Sequence, residues 1–301
     1  MTEKPAIKPK VLSLSDAVSQ IANGAHIAIG GAALHMHPMA FIRELVRQGK
    51  RDLTVLGEIQ GLEVDLLAGA GALRRVESAG VGLERFGLAR NFRRAVERGE
   101  LVMADYSDTM AMDRILAKGE NLTFWPVSFI GGTDIPKYLE ELVEFDCPIT
   151  GRKLYAMPPA RVDVAVIHMP YADERGNVLI TERRLMPQSQ DLVYARAADR
   201  IYVTVEHIVD HDFIRRNAHL NHLPAFQIQG VIEAPWGAHP GSMPDFYDYD
   251  EGHMEEYAEA SKTPQTFEAY LNRYVHGAAD EAAYLELVGI RNLLSARKIV
   301  L

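Results

Sequence analysis

The feature that most constrains this chain is an alternation of short apolar runs with segments whose apolar residues fall at helical spacing. His26-Ile27-Ala28-Ile29 is too short for a helix and reads as a buried strand opening into Gly30-Gly31. Before it, Leu14, Ala17, Val18, Ile21 and Ala22 share one helical face, with Ser13 or Ser15 as cap and Gly24 at the left-handed end. After it, Pro38 starts a helix carrying Met39, Phe41, Ile42, Leu45 and Val46. The pattern predicts further strands over 53–56, 75–79 and 101–104. Helices are predicted over 64–70 and 86–97, and from Asp108 or Thr109 to Ile115. Strands alternating with helices at this spacing imply βαβ units and a mostly parallel sheet.

The second half predicts a strand over 162–167, a turn at Asp173-Glu174-Arg175-Gly176-Asn177 and a hairpin return over 178–180. A helix over 191–198 and strands over 201–205 and 231–233 follow, then a loop rich in Pro, Gly and aromatics from Pro235 to Tyr249. Residues 254–294 read as largely helical. No linker divides the halves, so the expectation is one domain over 1–301, with 1–10 flexible and 254–301 mainly helical. The fold class expected is α/β: an open mixed sheet flanked by helices, with a helical C-terminal tail.

Charge narrows the function. With 32 Lys+Arg against 41 Asp+Glu the net charge is −9, which argues against nucleic acid, whose phosphates need a basic face. No apolar stretch approaches the roughly 18 residues of a membrane span, and none follows the polar N-terminus as a signal would. One cysteine, Cys147, cannot form an internal disulfide. A cytoplasmic protein, with no membrane and no nucleic-acid partner, is expected.

Ligands of open α/β sheets gather at the carboxyl ends of strands. The first such loop is Gly30-Gly31-Ala32-Ala33-Leu34-His35-Met36-His37-Pro38. Its glycines either admit a ligand to free backbone N–H groups or serve a tight turn. Gly69-Ala70-Gly71 and Gly80-Val81-Gly82 lack the third glycine of a dinucleotide fingerprint, and no Walker lysine or G-x-S-x-G elbow is present. His207 and His211, with Asp210, Asp212, His219 and His222, lack an H-E-x-x-H pattern and read as a polar surface stretch; no metal is expected. Asp108 and Asp134 each precede a helix and suit capping. Cys147 has no basic sequence neighbour to activate it.

Taken in order, several segments carry a resemblance. They are Ile29-Gly30-Gly31 with Pro38-Met39-Ala40-Phe41, Asp105-Tyr106-Ser107, Gly132-Thr133-Asp134, and Arg161 to Ile167. Ala197-Ala198-Asp199-Arg200 and Glu233-Ala234-Pro235-Trp236-Gly237-Ala238-His239-Pro240 follow. Across nearly its whole length the chain resembles the α subunit of glutaconate-type, family I CoA-transferases. That resemblance implies a CoA-transferase fold and a heteromeric enzyme, α2β2, moving CoA between an acyl-CoA and a carboxylic acid. It implies coenzyme A as a substrate, with no cofactor permanently bound. The nucleophilic glutamate of the family belongs to the β subunit; Glu120-Asn121 here is followed by Leu122 in place of Gly and reads as a surface turn. Substrate binding is then expected from Gly30, Gly31, His35, His37, Ser107, Gly132 and Thr133. The chain is also similar to α subunits of steroid-ring-opening CoA hydrolases, whose catalytic glutamate aligns with Asp108, one methylene shorter. His35-Met36-His37-Pro38 stands where relatives carry an Asn-Arg-x-Pro-like run. A non-catalytic binding protein of the same fold is the third alternative.

Overall fold

The computed structural model describes residues 8–182 and 185–297. The chain runs through α1 (Leu14–Ser19), β1 (His26–Ile29), α2 (Met39–Arg47), β2 (Leu53–Leu56), the two-residue β3 (Ile59–Gln60) and α3 (Leu62–Gly69). Next come β4 (Leu73–Ser78), β5 (Gly80–Val81), α4 (Arg90–Glu97), β6 (Val102–Asp105) and α5 (Asp108–Gly119). A small antiparallel sheet follows, built from β7 (Trp125–Val127), β8 (Val143–Asp146) and β9 (Lys153–Met157), with α6 (Ile135–Tyr138) in the connection. The chain then returns through β10 (Val164–Asp173), β11 (Val178–Leu179), α7 (Met186–Ala197), β12 (Arg200–Val209), α8 (His211–Arg216), β13 (Asn221–Leu223) and β14 (Gly230–Glu233). It closes with α9 (Glu251–Ala260), α10 (Pro264–Leu271), α11 (Glu281–Val288) and α12 (Ile290–Ala296).

The strands β6-β4-β2-β1-β10-β12-β14 pair in that order, all parallel. β11 and β13 add antiparallel pairing along the far end of β10. Strand order runs outward one way from β1 and the other way from β10, so the β1/β10 boundary is the switch point. At such a boundary the loops above adjacent strands lead in opposite directions, which is where open α/β sheets hold their ligands.

Two helical layers cover the sheet, and strand periodicity assigns residues to them. Ile27 and Ile29 join Phe41, Ile42, Val55 and the C-terminal helices in the large core, while Ala28, one position out of phase, joins Leu56, Ile115 and Tyr194 beneath α5 and α7.

Several expected bounds shift for local reasons. The helix expected over 86–97 begins only at Arg90, because Gly87 at φ +100° and a bridge between Gly82 and Leu88 turn the chain first. The helix expected over 191–198 begins at Met186, with Pro187 in its first turn. The antiparallel β7–β9 sheet was not expected at all: its strands are short and partly exposed, without the apolar runs of the parallel strands. Of residues 1–10, the first seven lie outside those described. Lys10 is tied down, its N–H donating to the Glu174 carbonyl at 2.7 Å and its Nζ to the carbonyls of Ala225 and Ile228 at 2.6 Å. The tail over 254–297 is helical as expected; 298–301 lie outside the described residues.

Candidate active site

The Gly30–Pro38 loop leaves β1 at the switch point. Its glycines are needed for close approach, but to the protein itself. A Cβ on Gly30 would lie 2.7 Å from Asp191 Oδ1; one on Gly31, at φ +88°, would lie 2.5 Å from the His35 carbonyl oxygen. Gly30 N–H donates to the Val166 carbonyl at 2.8 Å, and Gly31 N–H to Asp191 Oδ1 at 2.7 Å. Ala32 and Met36 donate to His35 and Ser242. Of the two readings of these glycines, the tight turn accounts for their N–H groups: packing against α7 and β10 occupies both donors. His37 is buried as well. Its Nδ1 lies 2.8 Å from the Gly30 carbonyl oxygen, and its Nε2 lies 3.1 Å from that of Ala33 and 3.2 Å from Glu63 Oε2, so it pins the loop from behind. His35 faces outward with Nδ1 2.5 Å from Ser242 Oγ.

The expected residues on neighbouring loops are more open. Ser107 Oγ caps α5 by accepting from Met110 N–H at 3.3 Å, and Asp108 is exposed in the first turn. Gly132 (φ +83°) and Thr133 form an exposed turn, with Thr133 Oγ1 donating to the Ile130 carbonyl at 2.8 Å. Ile130 packs with Tyr106 and Met110, which ties this turn to the start of α5. Asp134 does not cap α6 with its side chain; it pairs with Lys137 instead.

The strongest polar cluster at this edge lies in residues that sequence reasoning passed over. Gln60 is 0% exposed, and neither its Nε2 nor its Oε1 has a partner among the described residues. Asp191 is equally buried; Oδ1 accepts from Gly31 and Oδ2 accepts from nothing among the described residues. Burial pushes its carboxyl up to about 8, opposed only by the Gly31 N–H. Gln190 donates through Nε2 to Glu58 Oε2, leaving its Oε1 unmatched among the described residues. Glu58 is half-buried, and its carboxyl is raised by burial and then by the charge of Asp108. Its N–H donates to the Tyr194 hydroxyl at 2.9 Å, and the charges of Asp191, Glu58 and Glu63 all act on that hydroxyl. A signal existed: residues 58–60 follow β2, and the carboxyl-end rule applied to β1 applies equally there.

Other motifs are structural. Glu206 gathers the segment after β14, accepting from Trp236 N–H at 2.8 Å and from the Tyr247 hydroxyl at 2.6 Å, while His168 Nε2 lies 2.8 Å away. Trp236 stacks on Tyr247 with centroids 4.3 Å apart, and His239-Pro240 is cis. His207 and His211 diverge: the former stacks near Tyr171 and the latter bonds Asp173 Oδ2 at 2.8 Å. Cys147 departs from expectation, since hydrogen bonds from Thr150, with Arg152 nearby, draw its thiol below the ordinary value.

Residues 11–234 match the family described as coenzyme A transferase. A glutaconate CoA-transferase subunit of Acidaminococcus fermentans is 32% identical, across 96% of this chain and 95% of the relative. The crystal structure of glutaconate coenzyme A-transferase from the same organism superposes with a TM-score of 0.90, covering 96% of each chain. A cholesterol ring-cleaving hydrolase IpdA subunit of Rhodococcus jostii is 31% identical, across 91% of this chain and 94% of the relative. An uncharacterized protein of Archaeoglobus fulgidus is 36% identical across 93% of this chain, which spans 62% of that relative's length. Sheet order, switch-point loop and whole-length similarity agree: the chain belongs to the coenzyme A transferase family.

Proposed function

We propose that this chain is the α subunit of a cytoplasmic α2β2 CoA-transferase moving CoA between an acyl-CoA and a carboxylic acid, with the attacking glutamate on the β subunit. The observation that carries the reading is the carboxyl edge at the switch point, where the neighbouring buried side chains of Gln60, Gln190 and Asp191 all keep polar atoms without partners among the described residues. Buried polar groups without partners are costly, so a cluster of them at the place where such sheets bind ligands supports an acyl-binding wall.

In this reading the β-subunit glutamate attacks the thioester carbonyl, giving a mixed anhydride and CoA thiolate. The thiolate attacks the glutamyl carbonyl and releases the first acid. The acceptor carboxylate then takes the acyl position, and CoA returns to it by the reverse steps. Each covalent intermediate divides one difficult step into easier ones, and each tetrahedral stage needs donors at its oxyanion. CoA is a travelling substrate, and no resident cofactor is invoked. The reading assigns substrate contacts to the more open His35, Ser107, Asp108, Gly132 and Thr133, and a supporting role to the packed Gly30, Gly31 and His37.

One observation favours a second reading, a carbon–carbon hydrolase on a CoA ester: Asp108 lies close enough to Glu58 for its charge to raise that carboxyl. Two neighbouring carboxyls at a ligand edge suit acid–base work. Co-expression with the β subunit, followed by assay of acyl-CoA donors against carboxylic acids, separates the two. CoA transfer supports the first reading. A complex that transfers no CoA yet consumes a cyclic dione-CoA with water establishes the second.

A further inference from the structure

The loop amides that a thioester chemist would first assign to oxyanion stabilisation are engaged inside the protein: Gly30 N–H with Val166 and Gly31 N–H with Asp191. A donor supplied by this chain therefore lies elsewhere on this wall. Glu58 is placed for it. Its main chain is held by the Tyr194 hydroxyl at its N–H, and by Ala79 N–H at 2.9 Å and Ser78 Oγ at 2.8 Å at its carbonyl oxygen. Ser78 is also the residue whose carbonyl accepts from Tyr106 N–H, so one chain of hydrogen bonds links the loops after β2, β4 and β6. Gln190 Nε2 fixes carboxyl oxygen Oε2, and no hydrogen bond holds Oε1 among the described residues. The side chain is half-buried rather than sealed, unlike Asp191 or Glu63, so a ligand entering the edge can meet it.

We propose that Glu58 is a substrate-touching residue of this chain, its carboxyl oxygen Oε1 donating a hydrogen bond to the acyl carbonyl oxygen as negative charge develops there. The inference rests on the CoA-transfer reading above. The proton stays on Glu58 throughout, so the step needs no co-reactant: charge appears on the oxyanion, is stabilised by the donor, and disappears when the tetrahedral species collapses. Two groups face the carboxyl itself: Asp108 from α5, whose charge favours the protonated form, and Gln190 from α7, whose Nε2 donates to Oε2 and so leaves Oε1 as the oxygen that can carry a proton. The Tyr194 hydroxyl and Ser78 Oγ hold the Glu58 main chain, and the carboxyls of Asp191 and Glu63 act on the same Tyr194. Burial and the Asp108 charge both raise Glu58, and no cation among the described residues opposes them.

The test uses the complex of this chain with its β subunit, with acetyl-CoA and a panel of carboxylic acids as probes. Glu58→Ala is expected to lower kcat/KM by about 10²–10³-fold, the usual cost of one oxyanion donor. Glu58→Gln, which keeps a neutral donor, is expected to retain kcat/KM within about tenfold. In the wild type, kcat/KM declines as pH rises through the Glu58 carboxyl's own titration, and Glu58→Gln removes that limb. Glu58→Ala with wild-type kcat/KM overturns the proposal. So does a Gln variant as impaired as Ala with the limb intact, because that marks a structural role. Carbon-13 NMR of glutamate-labelled complex, with the Glu58 signal assigned by its loss in Glu58→Gln, reads the same point without turnover. Titration above the ordinary carboxylate range, falling in Asp108→Asn, is expected; titration in the ordinary range contradicts the proposal. A wild-type complex that transfers no CoA fails the earlier reading, and the NMR titration still decides the state of Glu58.

Discussion

Arg43 and Gln60 are both buried, and their surroundings treat them in opposite ways. The Arg43 guanidinium donates to both carboxylate oxygens of Glu281 and to the His239 carbonyl at 2.8 Å, and lies 3.7 Å from the centroid of the Tyr284 ring. His239 in turn meets the Tyr284 hydroxyl at 2.7 Å and Asp250 at 3.1 Å, and His253 meets the Tyr270 hydroxyl at 2.7 Å. That network joins α2 to the C-terminal helices. At the carboxyl edge the Gln60 carboxamide is equally enclosed and bonded to nothing among the described residues, and Asp191 there keeps one oxygen unmatched. The first region uses polar groups to lock one chain segment onto another. The second leaves hydrogen-bonding capacity unused, the behaviour of a surface built for something outside the chain.

The contrast makes opposite predictions for substitution. The largest effect falls on the satisfied network: Arg43→Ala strands the Glu281 carboxylate against the core and is expected to cost about 3–5 kcal/mol, read as a lowered urea midpoint. Asp191→Asn should act in the other direction. The folded carboxyl titrates at about 8, far above its unfolded value, so the folded state prefers the protonated form. The destabilisation it causes is absent below the unfolded value of about 4 and grows as pH rises toward the folded one. The Asn variant is therefore expected to gain at most about 4–5 kcal/mol near pH 7.5 and almost nothing at pH 4. Urea titrations at the two pH values check it; a gain equal at both would mean the carboxyl is not the source.

The alternation of short apolar runs with helical spacing made the parallel sheet legible, and Ile27, Ala28 and Ile29 divide between layers as period two requires. The glycines after β1 were legible as a tight loop. What they were tight against was not, because Asp191 is 160 positions away from Gly31 and the pairing exists only once α7 packs on β10. Glu58 and Gln60 were missed for a related reason: Glu58-Ile59-Gln60 looks like a polar turn until β3 pairs with β5 and encloses it. The β7–β9 sheet was illegible because strands as short and exposed as Val143–Asp146 carry little apolar patterning. The loop after β14 was legible as a motif, while its role as a knot around Glu206 depends on His168 and Tyr247 arriving from other elements.

If the unmatched groups at the switch point are held in reserve for substrate at a cost in stability, removing them should separate the two properties. Gln60→Met, close in volume and without polar atoms, tests this most directly when stability and acyl-CoA binding are measured on the same variant. The expected result is a stability raised by about 1 kcal/mol in this chain, read as a higher urea midpoint, together with a higher KM for the acyl-CoA donor in its complex with the β subunit. A variant that is less stable and binds acyl-CoA as the wild type does would show that Gln60 serves the fold, and would contradict the reserve.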